Sequence, residues 1–119
     1  MREIKYRVWI TPWGSDSEPC MQYIPDLHLH VFFGNWERGG YKDAVFQQYT
    51  GLKDKNGKDI YEGDILKWHE GENNLSEVIF QNGSFMVRGI NWGAFWYLSD
   101  YCDVYTYFGN VFENKELLK

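Results

Sequence analysis

The stretch from Gln48 to Ile65 leaves the chain little conformational choice. Gly51, Gly57 and Gly63 punctuate it, the first beside Thr50 and the last beside Asp64, and Thr and Asp both serve turns. Apolar and aromatic residues close each piece. The segment reads as a strand end, a charged hairpin, a tight turn, and a new strand from Ile65 to Trp68. Asn56-Gly57 is a strong turn signal because both residues accept positive φ. A two-residue loop there would set Lys55 opposite Lys58 and Asp54 opposite Asp59, and like charges facing each other weaken a ladder. A three-residue loop of Asn56, Gly57 and Lys58 opposes Lys55 to Asp59 instead. That loop, or an exposed and partly unpaired tip, is the expected form.

Strand patterning continues on both sides. Ile4, Tyr6, Val8 and Ile10 alternate with Lys5, Arg7 and Trp9, the pattern of a half-buried strand with the charged residues outward. Thr11 to Pro19 is a loop. Met21 to Ile24 has the make-up of a short strand, and Asp26 to Phe32 alternates again with Leu27, Leu29 and Val31 on its apolar side. Ala44 to Tyr49 leads into the central stretch. Asn82-Gly83 marks a second hairpin, in which a two-residue turn pairs Phe80 with Phe85 and Val78 with Val87 on one face. The other face pairs Ile79 with Met86 and Glu77 with Arg88. Each pair is favourable, so the register is well specified, with Phe80 and Phe85 expected toward the core. Ala94 to Leu98 and Asp103 to Phe108 read as further strands. Asn114 followed by Glu116 suggests an N-cap and an acidic first turn for a short C-terminal helix.

Three segments together are similar to the YopX family of small phage and prophage proteins. They are the Ile4 to Ile10 strand, the Gln48 to Ile65 signature, and Gly109-Asn110-Val111-Phe112-Glu113-Asn114 with Glu116-Leu117-Leu118. Two departures stand out: Ile10 follows Trp9 where the family usually has an acidic residue, and Lys115 stands where a proline is frequent. Thr11 to Tyr41 matches least. The resemblance implies a mainly β domain with a barrel and a small helical addition, and a phage or prophage setting. It implies no biochemical activity.

At 119 residues the chain fits one domain, taken as 1–119. Six Trp, nine Tyr and eight Phe are its main apolar resource. A formal net charge of −5 argues against binding a nucleic-acid backbone or an anionic membrane surface. Cys20 and Cys102 are too few for a disulfide framework. The charged start, Arg2 to Arg7, is unlike a signal peptide, and no apolar run has the length of a spanning helix. The Asn74 and Asn82 glycosylation patterns are therefore accidental, and the cytoplasm of a bacterial host is the expected location.

Candidate sites are few. Asp26, His28 and His30 share one side of a strand pattern, where alternate positions can converge on a metal. A polar solvent face opposite Leu27, Leu29 and Val31 explains them better, since a structural zinc site wants four ligands and no partner pair is evident, so no metal and no cofactor is expected. Asp54, Asp59, Glu62 and Asp64 could serve acid–base or metal chemistry. Lys53, Lys55 and Lys58 alternate with them as on a solvated hairpin, and Asp64 suits a cap for the turn at Gly63. Cys102 reads as a small hydrophobe. Trp92, Phe95, Trp96, Tyr97, Tyr101, Tyr105, Tyr107 and Phe108 crowd one segment. Such residues make stacking platforms for single-stranded nucleic acid when a basic groove accompanies them. Lys and Arg are absent from 91 to 113, so core filling or a protein interface fits better. Tyr61, Glu62, Asp64, Trp92, Trp96 and Tyr97 are the candidate binding residues.

The expected fold is mainly β, an SH3-like or partly open barrel of short antiparallel strands with a short C-terminal helix. The expected function is a non-enzymatic accessory module that binds a host or phage protein. The alternatives are a small metal- or carboxylate-dependent enzyme and a single-stranded nucleic-acid binder using the C-terminal aromatics. The aromatic excess also points to a homo-oligomer, a dimer first of all, covering aromatics of the 92–107 or 23–36 region.

Overall fold

The structure is a computed structural model that describes residues 5–13, 18–24, 42–68, 75–90 and 95–118. It is mainly antiparallel β and divides into two compact units, Met1–Tyr49 and Thr50–Lys119.

In the first unit, β1 (Tyr6–Thr11) lies between β2 (Cys20–Ile24) and the opening half of β3 (Asp43–Lys53), antiparallel to both. Val8, Ile10 and Ile24 form its core, with Ala44 and Phe46 packed against them. The alternation in β1 is as expected for Val8 and Ile10, but Arg7 is not outward. It is 1% exposed, and its Nε donates to Gln47 Oε1 at 2.6 Å. Gln47 is buried too, and its Nε2 donates to the Val45 carbonyl. β1 is paired on both edges, and it carries buried residues on both faces, Arg7 on one and Val8 and Ile10 on the other. A periodicity argument presumes that one face is wet. The expected Ala44–Tyr49 strand extends beyond Tyr49 and enters the second unit as the rest of β3.

In the second unit the end of β3 returns through a hairpin into β4 (Asp59–Tyr61). The loop has three residues but is not the expected one. Asp54 N–H donates to the Lys58 carbonyl at 2.8 Å, so the loop is Lys55-Asn56-Gly57. Gly57, at φ +83°, supplies the positive φ, and Asn56 is not in that region. Lys53 consequently meets Asp59, Nζ to Oδ1 2.5 Å, in place of the expected Lys55–Asp59 pair. The carboxylate of Asp54 sets this register by accepting the N–H groups of Asn56 and Lys58 at 2.8 and 2.9 Å.

The remaining strands are β5 (Asp64–Trp68), β6 (Leu75–Gln81), β7 (Ser84–Gly89), β8 (Phe95–Tyr97) and β9 (Tyr105–Asn110). They make one curled antiparallel sheet in the order β8-β7-β6-β5-β9. The hairpin at Asn82-Gly83 has the expected two-residue turn, both residues at positive φ (54° and 82°), and all the expected pairs. Val78 and Val87 are buried in the core with Ile60, Leu66, Leu98 and Tyr105. Burying each such side chain is worth about 1.5–3 kcal/mol.

Phe80 departs from expectation. It stacks edge-on against Phe85 with centroids 5.0 Å apart, yet it is 51% exposed. β5 pairs with β6 only over 75–77, and β8 with β7 only over 86–88. The hairpin tip overhangs both neighbours, so the register is right while the core ends before Phe80.

Between β8 and β9 the chain forms a one-turn helix, Leu98–Tyr101, and a 3-10 turn, Cys102–Val104. Leu98 and the first residues of the expected Asp103–Phe108 strand are therefore helical. Leu98, fully buried, anchors that turn. The C-terminal helix is a 3-10 turn, Lys115–Leu118, in which Leu117 N–H donates to the Asn114 carbonyl.

Candidate functional site

The signature turn is built of buried groups that bond backbone. Asp64 is fully buried, and its Oδ2 accepts Tyr61 N–H at 2.8 Å, closing the turn around Gly63. Gly63 N–H donates to the Val78 carbonyl, and its own carbonyl accepts Val111 N–H, both at 2.9 Å. Tyr61 is buried and Glu62 half-buried. Asp54, 7% exposed, spans further: Oδ2 accepts Tyr107 N–H at 2.9 Å while Oδ1 holds the hairpin loop. Lys55 N–H donates to the Tyr105 carbonyl beside it. The outer edge of β9 is thereby covered, which protects an otherwise open row of hydrogen-bonding groups. The four carboxylates considered for chemistry do not form one site: Asp54 and Asp64 bond backbone, and Asp59 pairs with Lys53.

The closing segment locks in a similar way. Asn110 is fully buried; its Oδ1 accepts Phe112 and Glu113 N–H at 3.0 and 2.9 Å, and its Nδ2 donates to Glu113 and to the Tyr107 hydroxyl. Asn114 Oδ1 accepts Asn110 N–H at 3.1 Å. The expected N-cap side chain thus reaches back to β9 rather than forward into the following turn. A Cβ on Gly109 would come within 2.8 Å of Asn114 Cγ, so the close approach requires glycine.

The aromatic residues separate onto the two faces of the sheet. On the inner face Trp68 meets Trp96, Tyr101 and Tyr105 with centroids 5.9, 5.3 and 5.2 Å apart. Tyr105 belongs to the core, Trp68 and Trp96 pack part-buried against it, and Tyr101 remains 40% exposed. Tyr105 is fully buried with Ser76 and Trp96 as polar neighbours. Burial pushes its hydroxyl pKa up and Tyr101 adds to the rise, while the polar groups of Ser76 and Trp96 nearby oppose it. Cys102 packs part-buried against this core; burial first, then the Asp103 charge, raise its thiol pKa, the opposite of what a nucleophile needs.

On the outer face Phe95 and Tyr97 are 51% and 55% exposed and flank Met86. With Gln81, Asn82 and Ser84 they line an open groove of about 250 Å³. Arg88, opposite Phe95, is paired to Glu77 at 2.7 Å. The candidate residues therefore divide. Tyr97 lies on this outer face, Trp96 lies in the core, and Tyr61 and Asp64 are buried in the turn. Phe95 and Met86 were missing from the candidate set; strand alternation beside Tyr97 was the signal for Phe95. Trp92 and the weak metal set Asp26, His28 and His30 lie outside the described residues. Among the described residues no group of three or more His, Cys, Asp or Glu is placed to hold a metal, and no helix is long and apolar enough to cross a membrane.

Comparison with known proteins adds the following. The family model described as "YopX protein" matches residues 5–119. A solved structure, the crystal structure of protein EF1440 from Enterococcus faecalis, is similar with 27% sequence identity, 98% of each chain covered and a TM-score of 0.55. No curated protein matches.

Proposed function

The chain belongs to the YopX family, and from that premise and the exposed outer face we propose that it is a non-enzymatic module that binds another protein. The observation that carries this reading is the pair Phe95 and Tyr97, both more than half exposed around Met86 on a sheet face whose frame is otherwise tightly bonded. Aromatic residues and Met are enriched at protein interfaces, and few large apolar groups are left in solvent together without a use. Three of the four candidate carboxylates, Asp54, Asp59 and Asp64, are occupied with backbone N–H groups and a lysine, which supports binding over catalysis. As the family resemblance implies, the setting would be that of a phage or prophage accessory acting on a host or phage protein in the bacterial cytoplasm.

The test is affinity purification from host cells with mass spectrometry of bound proteins, run in parallel on the wild type and on a Phe95→Ser/Tyr97→Ser variant whose folding has been checked by circular dichroism. A partner recovered by the wild type and lost by the variant is expected. Partners retained by the variant, or none above background, would remove the basis for the reading.

A further inference from the structure

The two ends of the five-stranded sheet are treated differently. At β9 the outward backbone groups are taken by Lys55 N–H and the Asp54 carboxylate. At β8, among the described residues, no further strand follows.

The hydrogen-bond phase of β8 follows from the hairpin. In a two-residue hairpin the residues flanking the turn, Gln81 and Ser84, form a hydrogen-bonded pair, and such pairs recur at every second position. Ile79–Met86 and Glu77–Arg88 are then hydrogen-bonded pairs, and the Ile90 N–H to Leu75 carbonyl bond keeps that phase. Ser84, Met86 and Arg88 thus turn their backbone groups toward β6, and Val87 turns its groups toward β8. Its partner there is Trp96. Trp96 consequently faces inward, while Phe95 and Tyr97 direct their backbone groups to the open edge. The Tyr97 carbonyl opens the helix Leu98–Tyr101 as its N-cap. Among the described residues, what remains at the edge is Phe95 N–H, Phe95 C=O and Tyr97 N–H. That is the set one antiparallel strand satisfies: one residue exchanging two bonds with Phe95, and the residue two before it accepting from Tyr97.

We propose that β8 receives an extended, basic segment of a different protein as a sixth, antiparallel strand. This deepens the binding reading and rests on it. Main-chain bonds to Phe95 and Tyr97 hold the segment, as in other cases of strand addition. The segment's residues opposite Phe95 and Tyr97 stand on the outer face beside both rings and the Met86 groove, and β-branched or other apolar side chains fit there. Charge sets the rest. Asp100 and Asp103 are exposed just past Tyr97, with no Lys or Arg between 91 and 114, and Arg88 is neutralised by Glu77. An antiparallel segment brings its N-terminal part alongside these carboxylates, so Lys or Arg belongs there. A second copy of this chain brings net −5 against net −5 and is disfavoured as the occupant.

The test uses a displayed library of random twelve-residue peptides, selected on the wild-type chain with the Phe95→Ser/Tyr97→Ser variant as counter-selection, and the enriched peptides made synthetically. Enrichment of alternating apolar peptides with Lys or Arg in their N-terminal half is expected. On titration the Phe95 and Tyr97 amide resonances should shift saturably. N-methylation at the peptide positions facing β8 should weaken binding at least about tenfold, and at the intervening positions much less. Asp100→Lys/Asp103→Lys should weaken it about fivefold or more. Peptides that leave the β8 amides unmoved, or equal effects of the two methylation sets, would overturn the proposal. So would a concentration-dependent dimer that shifts the same amides. If cellular partners still depend on Phe95 and Tyr97 when the peptide result is negative, strand addition falls and the binding reading stands. If neither result is positive, both fall.

Discussion

Replacing Asp54 by alanine removes three hydrogen bonds with one side chain. Oδ1 holds the Asn56 and Lys58 N–H groups at 2.8 and 2.9 Å, and Oδ2 holds Tyr107 N–H at 2.9 Å. The donors are not equivalent. Asn56 and Lys58 are exposed, so water takes over once the carboxylate is gone, and each loss costs about 0.5 kcal/mol. Tyr107 is half-buried on β9, and leaving its N–H without the charged acceptor costs about 1–2 kcal/mol. The expected destabilisation is about 2–3 kcal/mol. With a urea slope of about 1.5 kcal/mol/M, the midpoint falls by about 1.3–2 M. Asp54→Asn separates the two functions. Its amide oxygen can keep the loop, but its NH₂ group then meets Tyr107 N–H donor to donor, so the damage concentrates at β9. Urea unfolding followed by tryptophan fluorescence gives the magnitude. Amide hydrogen exchange gives the location: Tyr107 should lose protection in both variants while Val78 and Val87 keep theirs relative to the new global stability. A loss below about 0.5 kcal/mol for the alanine variant, or unchanged protection at Tyr107, would refute the assignment of Asp54 as the tie between hairpin and sheet edge.

Other outcomes follow from the same geometry. Gly83→Ala should cost about 1–2 kcal/mol from backbone strain alone, since φ is +82° and no atom lies within 4 Å of the new Cβ; chemical denaturation measures it. Gly109→Ala should cost about 1–3 kcal/mol by overlap with the Asn114 side chain, and a double-mutant cycle with Asn114→Gly should show a coupling that cancels part of the loss. Stability should fall in alkali. Cys102 and Tyr105 both lie above their ordinary values of 9.0 and 10.0, so the unfolded chain loses these protons first. Stability is then flat with respect to both groups at neutral pH. It declines as pH rises past about 9 and more steeply past about 10, by about 1.4 kcal/mol per pH unit for Tyr105 until the folded hydroxyl ionises. Tyr105→Phe should abolish that second segment of the curve in urea midpoints measured across the range.

What the sequence made legible was local. Asn82-Gly83 specifies its turn because two adjacent residues must both take positive φ, and the alternating apolar residues on either side then allow one register. The family signature was legible for the same reason: Asp64 reaches Tyr61 N–H only three residues away. The misses came from partners distant in the chain. Arg7 reads as solvent-facing until Gln47, forty residues on, is placed against it in the interior. Asn56-Gly57 reads as the centre of the loop until the Asp54 carboxylate, fixed from Tyr107 fifty-three residues away, moves the turn one residue earlier.

The same contrast explains why the outer face was only half visible. Composition put many aromatics in one segment but could not divide them. The division depends on which face of β8 each residue occupies, and on how far the neighbouring strands extend. Trp96 falls on the inner face, where Trp68, Tyr101 and Tyr105 use it as core; Phe95 and Tyr97, one position either side, fall outside. Placing Trp96 on the inner face therefore puts Phe95 and Tyr97 on the other face, which here is exposed, because side chains in a strand alternate. A sequence that needs Trp96 in the core places Phe95 and Tyr97 in solvent unless it substitutes polar residues there. Serine or threonine at both positions would keep the strand, since neither side chain supports the core. That aromatic residues stand there instead is the feature that the fold does not require, and it is the reason to seek function at the edge of β8 rather than in the bonded turn around Asp64.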